Sequence, residues 1–508
     1  MLRTSVRPRG AAAEAARPRP GLALAVVLFG YLVLPMAMSG TTVAVPRIGA
    51  DLGASGPALQ WIVTGYFLAA SSFMLVAGSL GDLFGRRRLY RIGAFVYLAG
   101  SFAAAAAPSI VVLDAARILT GLGGAGVMAG GGAILATTFT GAARTRAFAA
   151  MGTTSGIGLA AGPTTAGWLV EALDWRMTFA LFGTAGLVLA AGTWALAESK
   201  AETRPTVDRA GIATFIGGLV LVMFAITQGS QAGWGSARVV LPAVAGMGLL
   251  AGFVVVERRV ARPMLDLRLL KNRRFTGWLL AALTVTAGFG GLLANLPTFL
   301  QAVNGASTGE AGLTMLLPTV PVLVMPTVSA RLVARGVVAP RTLVTAALLL
   351  IAAGNAWLTV LHPGIGALGL AGPLVTVGVG MGLSPGMIDA QVMDQVEPSR
   401  AGMAAGLLNT VRGTTQALTL AVFGSALISV LRSHVGGAAD RVATGDLPSG
   451  AERMRMAAEL SSAWHTVAVG VAGVVVMGAV GVWILLGNAT RASRTRDFAG
   501  RTAASDRP

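Results

Sequence analysis

Fourteen apolar stretches, each close to the length that crosses a bilayer, dominate this sequence. They cover residues 22–45, 59–80, 90–107, 110–136, 146–170, 177–197, 210–228, 238–257, 275–295, 310–332, 342–361, 368–389, 400–430 and 464–487. A spanning helix needs about 20 mostly apolar residues. Only 12% of the 508 residues are charged and 54% are hydrophobic, whereas a soluble domain carries about 25% charge. The chain therefore reads as an all-α integral membrane protein with fourteen transmembrane helices. Its 69 glycines fit that reading, because glycine is more frequent in membrane helices than in soluble ones.

The connectors set the orientation. With the N-terminus inside, 30 of the 39 Lys and Arg fall in inner segments, seven in outer ones and two, Arg117 and Arg412, within helices. Basic connectors stay cytoplasmic, so both termini are expected inside and the helix number is expected to be even. The expected organisation is a disordered basic tail (1–21), a six-helix bundle (22–200), an inserted helix pair (201–260), a second six-helix bundle (261–490) and a cytoplasmic tail (491–508). A cell-membrane, multi-pass protein follows, with the lipid bilayer as its partner and a monomer expected.

Several functions are excluded. The net charge of +18 is dispersed in short connectors without an aromatic platform, which argues against nucleic acid. There is no cysteine, so thiolate chemistry and Cys-based metal sites are out. His362, His434 and His465 form no ligand-spaced cluster. Without a Walker loop or a clustered nucleophile and base, neither ATP-driven transport nor an enzyme is expected. No cofactor and no metal are expected.

Between the second and third stretches lies GSLGDLFGRRRLYRIG, residues 78–93. Its arginines suffice to fix topology. They do not explain Gly78, Asp82 and Gly85, which with Arg86 and Arg87 make G-x-x-x-D-x-x-G-R-R. That pattern resembles the cytoplasmic loop signature of the major facilitator superfamily. Gly85 permits a turn that other residues resist. Asp82 can sit against another helix's N-terminus, where negative charge is favoured. ARLVARG, residues 330–336, resembles a degenerate second copy with Ala334 in place of the acid. Further motifs follow in order: QWIVTGYFLA from Gln60, RILTGLGGAG from Arg117, GLAAGPTTAGW from Gly158, DWRMTF from Asp174, ITQGSQAGWG from Ile226, RPMLDLRLLKNRRF from Arg262, LPTFLQ from Leu296 and AGMAAGLLNTVRGTTQA from Ala401. Together they resemble the fourteen-helix drug:proton antiporter family, a group of multidrug and antibiotic exporters, over residues 22–487.

The resemblance implies a secondary active exporter that exchanges small amphipathic compounds for protons by alternating access. Gly158, Gly162, Pro163 and Gly167 belong to the motif that marks exporters in that family. Gly158, Gly162 and Ala166 also form a small-residue ridge suited to close helix approach. Arg117 matches the arginine that the family links to proton transfer. Asp114 lies three residues before it on the same face, so the two are candidates for proton coupling. The same pair can instead be permanent, or Asp114 can lie high enough to meet outer water. Asn409, Arg412 and Gln416 follow i, i+3, i+7 and form a polar stripe. At about 1.5 Å per residue from Arg400, Arg412 is about 18 Å deep. An arginine there lines a substrate path or bonds neighbouring carbonyls.

The family's first helix usually carries an Asp, and Ala37 occupies that position here. Two deep arginines then face one deep acid, Asp114, with Asp389 and Asp394 assigned to the inner end of their helix. This balance favours neutral or anionic substrates over cationic dyes. A dedicated exporter of one endogenous metabolite, or an uncoupled facilitator or sensor, is the alternative.

Overall fold

The computed structural model describes residues 20–55, 57–199, 208–260, 269–396 and 401–487, and all its regular secondary structure is helical. The helices are α1 Pro20–Leu52, α2 Pro57–Phe84, α3 Arg86–Ala105, α4 Ile110–Thr138, α5 Gly141–Leu173, α6 Trp175–Gly192, α7 Arg209–Ala232, α8 Ala237–Arg259 and α9 Arg273–Asn304. They continue with α10 Thr308–Thr314, α11 Leu316–Ala334, α12 Pro340–Trp357, α13 Ala367–Leu383, α14 Pro385–Met393, α15 Ala401–Val435, α16 Ala439–Ala443 and α17 Ala451–Gly487. Each of the fourteen apolar stretches falls on helix. The tails expected at 1–21 and 491–508 lie outside the described residues, apart from Pro20 and Gly21.

Among the described residues, eleven helical segments are long and apolar enough to cross a membrane. The abutting pairs α10/α11 and α13/α14 count as one segment each. Three long helices fall short of that measure for visible reasons. The apolar part of α2 is limited to Ala58–Met74, α3 opens with four arginines, and α5 carries Arg144 and Arg146 with several Thr and Gly. Two of these three, α2 and α5, sit at the centre of the molecule, where lipid does not select for apolar side chains.

Between membrane helices there is little hydrophobic drive, so close approach through small residues supplies much of the adhesion. The sequence provides it at defined places. Gly93 of α3 lies against α4 so tightly that a β-carbon would come within 2.8 Å of the Gly123 carbonyl oxygen and the Val127 amide. The small-residue ridge on α5 faces α1: Gly158 rests on the backbone of Leu32, and Gly162 on Met36 and Gly40. Helices α1–α6 pack on one another, as do α9–α15 and α17, and the two groups meet where α2 crosses α15 and where α5 meets α10, α11 and α14. The α7–α8 hairpin joins through α7, whose Ile226 carbonyl accepts from Ser425 of α15 at 2.9 Å.

Helix ends follow local chemistry. Asn272 caps α9 through its side chain, and Gly305 closes it in the left-handed region at φ 65°. Ser307 and Glu310 form a capping box on α10. The expected outer connector at 432–463 is largely helical. Its helical pattern around Ala451–Leu460 joins the last spanning stretch to make the 37-residue α17. Met456, Ala457 and Leu460 continue the buried stripe of Trp464 onto Leu431 and Val442, which explains why the helix starts early. Arg432 and Asp440 pair at 3.0 Å across the turn between α15 and α16.

The Gly93 contact yields a test. Gly93→Ala is expected to push α3 from α4 and destabilise the protein by about 1–3 kcal/mol, read as a lower melting temperature in detergent. Gly248→Ala, where nothing lies within 4 Å of the added carbon, is expected to leave it unchanged.

Candidate functional site

A cavity of about 110 Å³ lies between the two helix groups. Helices α1, α2, α4 and α5 contribute Pro35, Met38, Tyr66, Phe67, Ser71, Met74, Met128 and Ser155. The opposite wall is Ala282, Val285 and Thr286 of α9, Met381 of α13, Pro385 and Ile388 of α14, and Asn409, Arg412 and Gln416 of α15. The polar stripe read on α15 therefore faces this cavity. Most of the remaining wall is apolar. Four of its side chains are methionines, whose unbranched, polarizable chains adapt to differently shaped partners.

The backbone of the second group is broken beside the cavity. Pro385 has no N–H to give to the helix ladder, so α13 ends at Leu383 and α14 restarts at Pro385. Ser384 bonds back to the Gly380 carbonyl at 2.8 Å. The break brings Asp389 to Arg412, and the two form an ion pair at 2.8 Å. Asp389, assigned from the sequence to the inner end of its helix and left out of the charge balance, is the acid that faces Arg412. It is 4% exposed. Its pairing with Arg412 depends on the helix break, which the Ser384–Pro385 dipeptide signals in the sequence. The charge balance drawn from the sequence changes accordingly, since Arg412 is neutralised on the spot.

Asn409 donates to the Tyr31 hydroxyl at 3.5 Å, and Tyr31 donates to the Met128 carbonyl at 2.6 Å. This chain links α15 to α1 and α4 through Tyr31, which sequence reasoning missed because a lone Tyr in an apolar run carries no pattern. Ala37 packs instead against Ala166 and Phe182, away from the cavity. The position at which the family's acid was sought does not line the path.

Arg117 has a different environment from the one expected. Its Nε donates to the Ile62 carbonyl of α2 at 3.2 Å. Its guanidinium lies 4.5 Å from the Tyr66 ring centre and 5.4 Å from that of Phe179. Among the described residues no ion pair within 4 Å joins it to Asp114. One Asp114 oxygen and one Arg117 nitrogen are both buried without a hydrogen-bond partner. Tyr66 separates Arg117 from the cavity, so the two arginines inside helices solve their burial differently: Arg117 by aromatic faces and a carbonyl, Arg412 by an acid.

At the arginine-rich loop, Gly85 has φ 113°, which side chains resist. A carboxylate sits on the first turn of α3: Glu198 accepts from the Arg87 amide at 3.2 Å. The Arg86 amide donates to the Ser199 carbonyl at 3.0 Å. A β-carbon on Gly85 would lie 2.6 Å from Glu198. The segment after α6 therefore clamps the loop, with Arg87 6.0 Å from the Trp194 ring. The side chain of Asp82 lies outside the described residues, and Gly78 has open space around it. In the degenerate second copy Gly336 also has positive φ, 68°. Gly167 faces the other helix group, with the Thr308 carbonyl 2.7 Å from where its β-carbon would be. The exporter motif thus grips α1 with Gly158 and Gly162 and meets α10 with Gly167.

A bundle of two helix groups around a central cavity, with a clamped arginine loop, defines a membrane transporter of small compounds. The chain belongs to the Major Facilitator Superfamily, whose family model matches residues 27–420. It is a multi-pass protein of the plasma membrane. It is 31% identical to the puromycin resistance protein pur8 of Streptomyces alboniger, over 99% of both chains. It is 32% identical to the probable actinorhodin transporter of Streptomyces coelicolor, over 85% of this chain and 75% of that one. The fold is similar to that of the POT family transporter PepTSo, with TM-score 0.62 at 14% identity over 92% of this chain and 97% of that one. Its relatives include drug and antibiotic resistance exporters.

The Asp389–Arg412 pair can be weighed by a double-mutant cycle. Removing one partner leaves the other charge buried alone. Arg412→Gln is therefore expected to cost about 3 kcal/mol, the low end of the range for buried pairs because Arg412 remains partly exposed. Adding Asp389→Asn is expected to recover most of that loss. Asp389→Asn alone closes the cycle, and single losses that simply add up to the loss of the double variant in thermal unfolding would show that the pair is not coupled.

Proposed function

We propose that this protein is a proton-coupled antiporter that exports small amphipathic drugs or antibiotics by alternating access. The observation that carries this reading is the cavity between the two helix groups, apolar and methionine-rich with a few fixed polar groups. The named activities of the relatives support it. With Arg412 held by Asp389, the cavity presents no uncompensated charge, which favours neutral aromatic compounds. An anionic compound would have to displace Asp389 from Arg412, and a dicationic one would find no free acid.

Asp114 is the proposed proton acceptor on α4. Its unpartnered oxygen lies one helical turn from the unpartnered nitrogen of Arg117, so a proton on Asp114 or a small rotation of Arg117 changes their attraction. The same reading has fourteen crossings: the eleven apolar segments with α2, α3 and α5. Two six-helix bundles, α7 and α8 inserted between them and both termini in the cytoplasm complete it. The bias of Lys and Arg to one set of connectors supports that orientation.

The deciding measurement is proton release from everted vesicles holding an imposed pH gradient, across neutral, anionic and cationic drugs. Neutral compounds are expected to release protons with wild-type protein and to fail with Asp114→Asn. No flux with any compound would favour an uncoupled facilitator, and flux with one compound alone a dedicated metabolite exporter. Orientation has its own test, because the chain lacks cysteine and an introduced thiol is unique. A membrane-impermeant thiol reagent added outside is expected to label Ala54→Cys and not Gly141→Cys. The reverse would invert the topology.

A further inference from the structure

Asp389 combines three features that packing alone does not require. One carboxylate oxygen holds Arg412, and the other is buried with no hydrogen-bond partner. Burying an acceptor in that way is costly. The pair is reached from the cavity, because Arg412 lines it and keeps 23% of its side chain exposed. The unpartnered oxygen also points across the seam between the helix groups. A β-carbon on Gly152 of α5 would occupy its place, and one turn earlier a β-carbon on Gly386 would come within 2.8 Å of the Thr153 hydroxyl, so the two helices touch closely along this seam. Only glycine at 152 lets the acid of one group touch the backbone of the other.

The charged and titratable groups around Asp389 are few. Arg412 faces it from α15, and the Tyr31 hydroxyl of α1 is near enough to interact electrostatically. The contacts from α5 are Gly152 and its neighbours. Asp394 follows the last residue of the same helix as its C-cap and is exposed. Among the described residues, α9, α11 and α13 bring no ionisable side chain to Asp389. Its charge therefore balances one cation and is felt at one seam.

We propose that Asp389 is a second proton acceptor, coupled to the cavity through its partner Arg412, and that its protonation releases Arg412 and loosens the contact between α5 and α14. The proton adds to the open oxygen from cavity water and leaves by the same O–H bond when the carboxylate re-forms its pair with Arg412. No other bond changes. The inference rests on the antiport reading and supplies from α14 an acid that the first helix lacks at Ala37.

The test uses the cysteine-free background. Spin labels at Ala143→Cys and Gln395→Cys report the separation of α5 and α14 in proteoliposomes as pH is varied. The distance distribution is expected to titrate in the otherwise unaltered protein. It is expected to stay at its acid-side form with Asp389→Asn and to titrate normally with Asp394→Asn. Should Asp389→Asn fail to fold, the paired variant Asp389→Asn with Arg412→Gln leaves no lone buried charge and carries the same expectation. Normal titration in either Asp389 variant overturns the proposal. In the same liposomes, chloramphenicol, a neutral aromatic antibiotic, and the other compounds of the panel are tested for proton release. Release by the unaltered protein that Asp389→Asn loses supports the assignment. Release that Asp389→Asn keeps overturns it and leaves antiport standing, whereas no release from the unaltered protein overturns antiport itself.

Discussion

Backbone touching backbone across α1 and α5 is the contact on which the rest of this molecule depends. In a bilayer, lipid tails solvate apolar side chains as well as protein does, so helices adhere where they can approach closely. Gly158 and Gly162 meet the main chain of Leu32, Met36 and Gly40, and α5 is thereby fixed in the first helix group. The other side of the same helix carries Gly152 and Gly167 to α14 and α10 of the second group. One helix thus holds its own group together and forms the seam with the other. The cavity is the space left where that seam opens.

Charge inside the membrane is handled with equal economy. An arginine stripped of water needs donors satisfied and charge balanced. At Arg117 two aromatic rings and a carbonyl do most of this, and the residue fastens α2 to α4. At Arg412 an acid does it, and the residue faces the cavity. The difference between a fastening and a responsive site comes from the neighbours, since the side chain is the same. A third arrangement appears at the arginine loop, where Glu198 takes the Arg87 amide and the Ser199 carbonyl takes the Arg86 amide at the start of α3.

Much of this architecture was legible in the sequence, and the reasons are physical. Helix positions follow from stretches of sustained hydropathy, which is why all fourteen fall on helix. The stripe Asn409, Arg412, Gln416 was readable because helical periodicity puts those residues on one face. What escaped was whatever depended on tertiary placement. Asp389 was left out of the charge balance because a place near the inner end of a helix does not show that the break at Pro385 turns it onto Arg412. Asp114 and Arg117 looked paired because they share a face, but the side chains of α2 and α6 give Arg117 closer partners. Glu198 carried no signal, because its target at the start of α3 is more than a hundred residues away in the chain. The helical pattern around Ala451–Leu460 was readable, but Glu452, Arg453 and Arg455 hid its continuity with the last spanning stretch.

The packing by glycine has an evolutionary consequence. The groups that join α5 to α1 are largely glycine hydrogens and main chain, while the groups that line the cavity are mostly side chains such as Met38, Met74 and Met128. The two sets share almost no atoms. Replacing a cavity methionine alters the shape offered to a guest without disturbing the joints of the scaffold. A lineage built this way can change its cargo one residue at a time, each intermediate still folding, so divergence at the cavity can proceed faster than divergence of the frame.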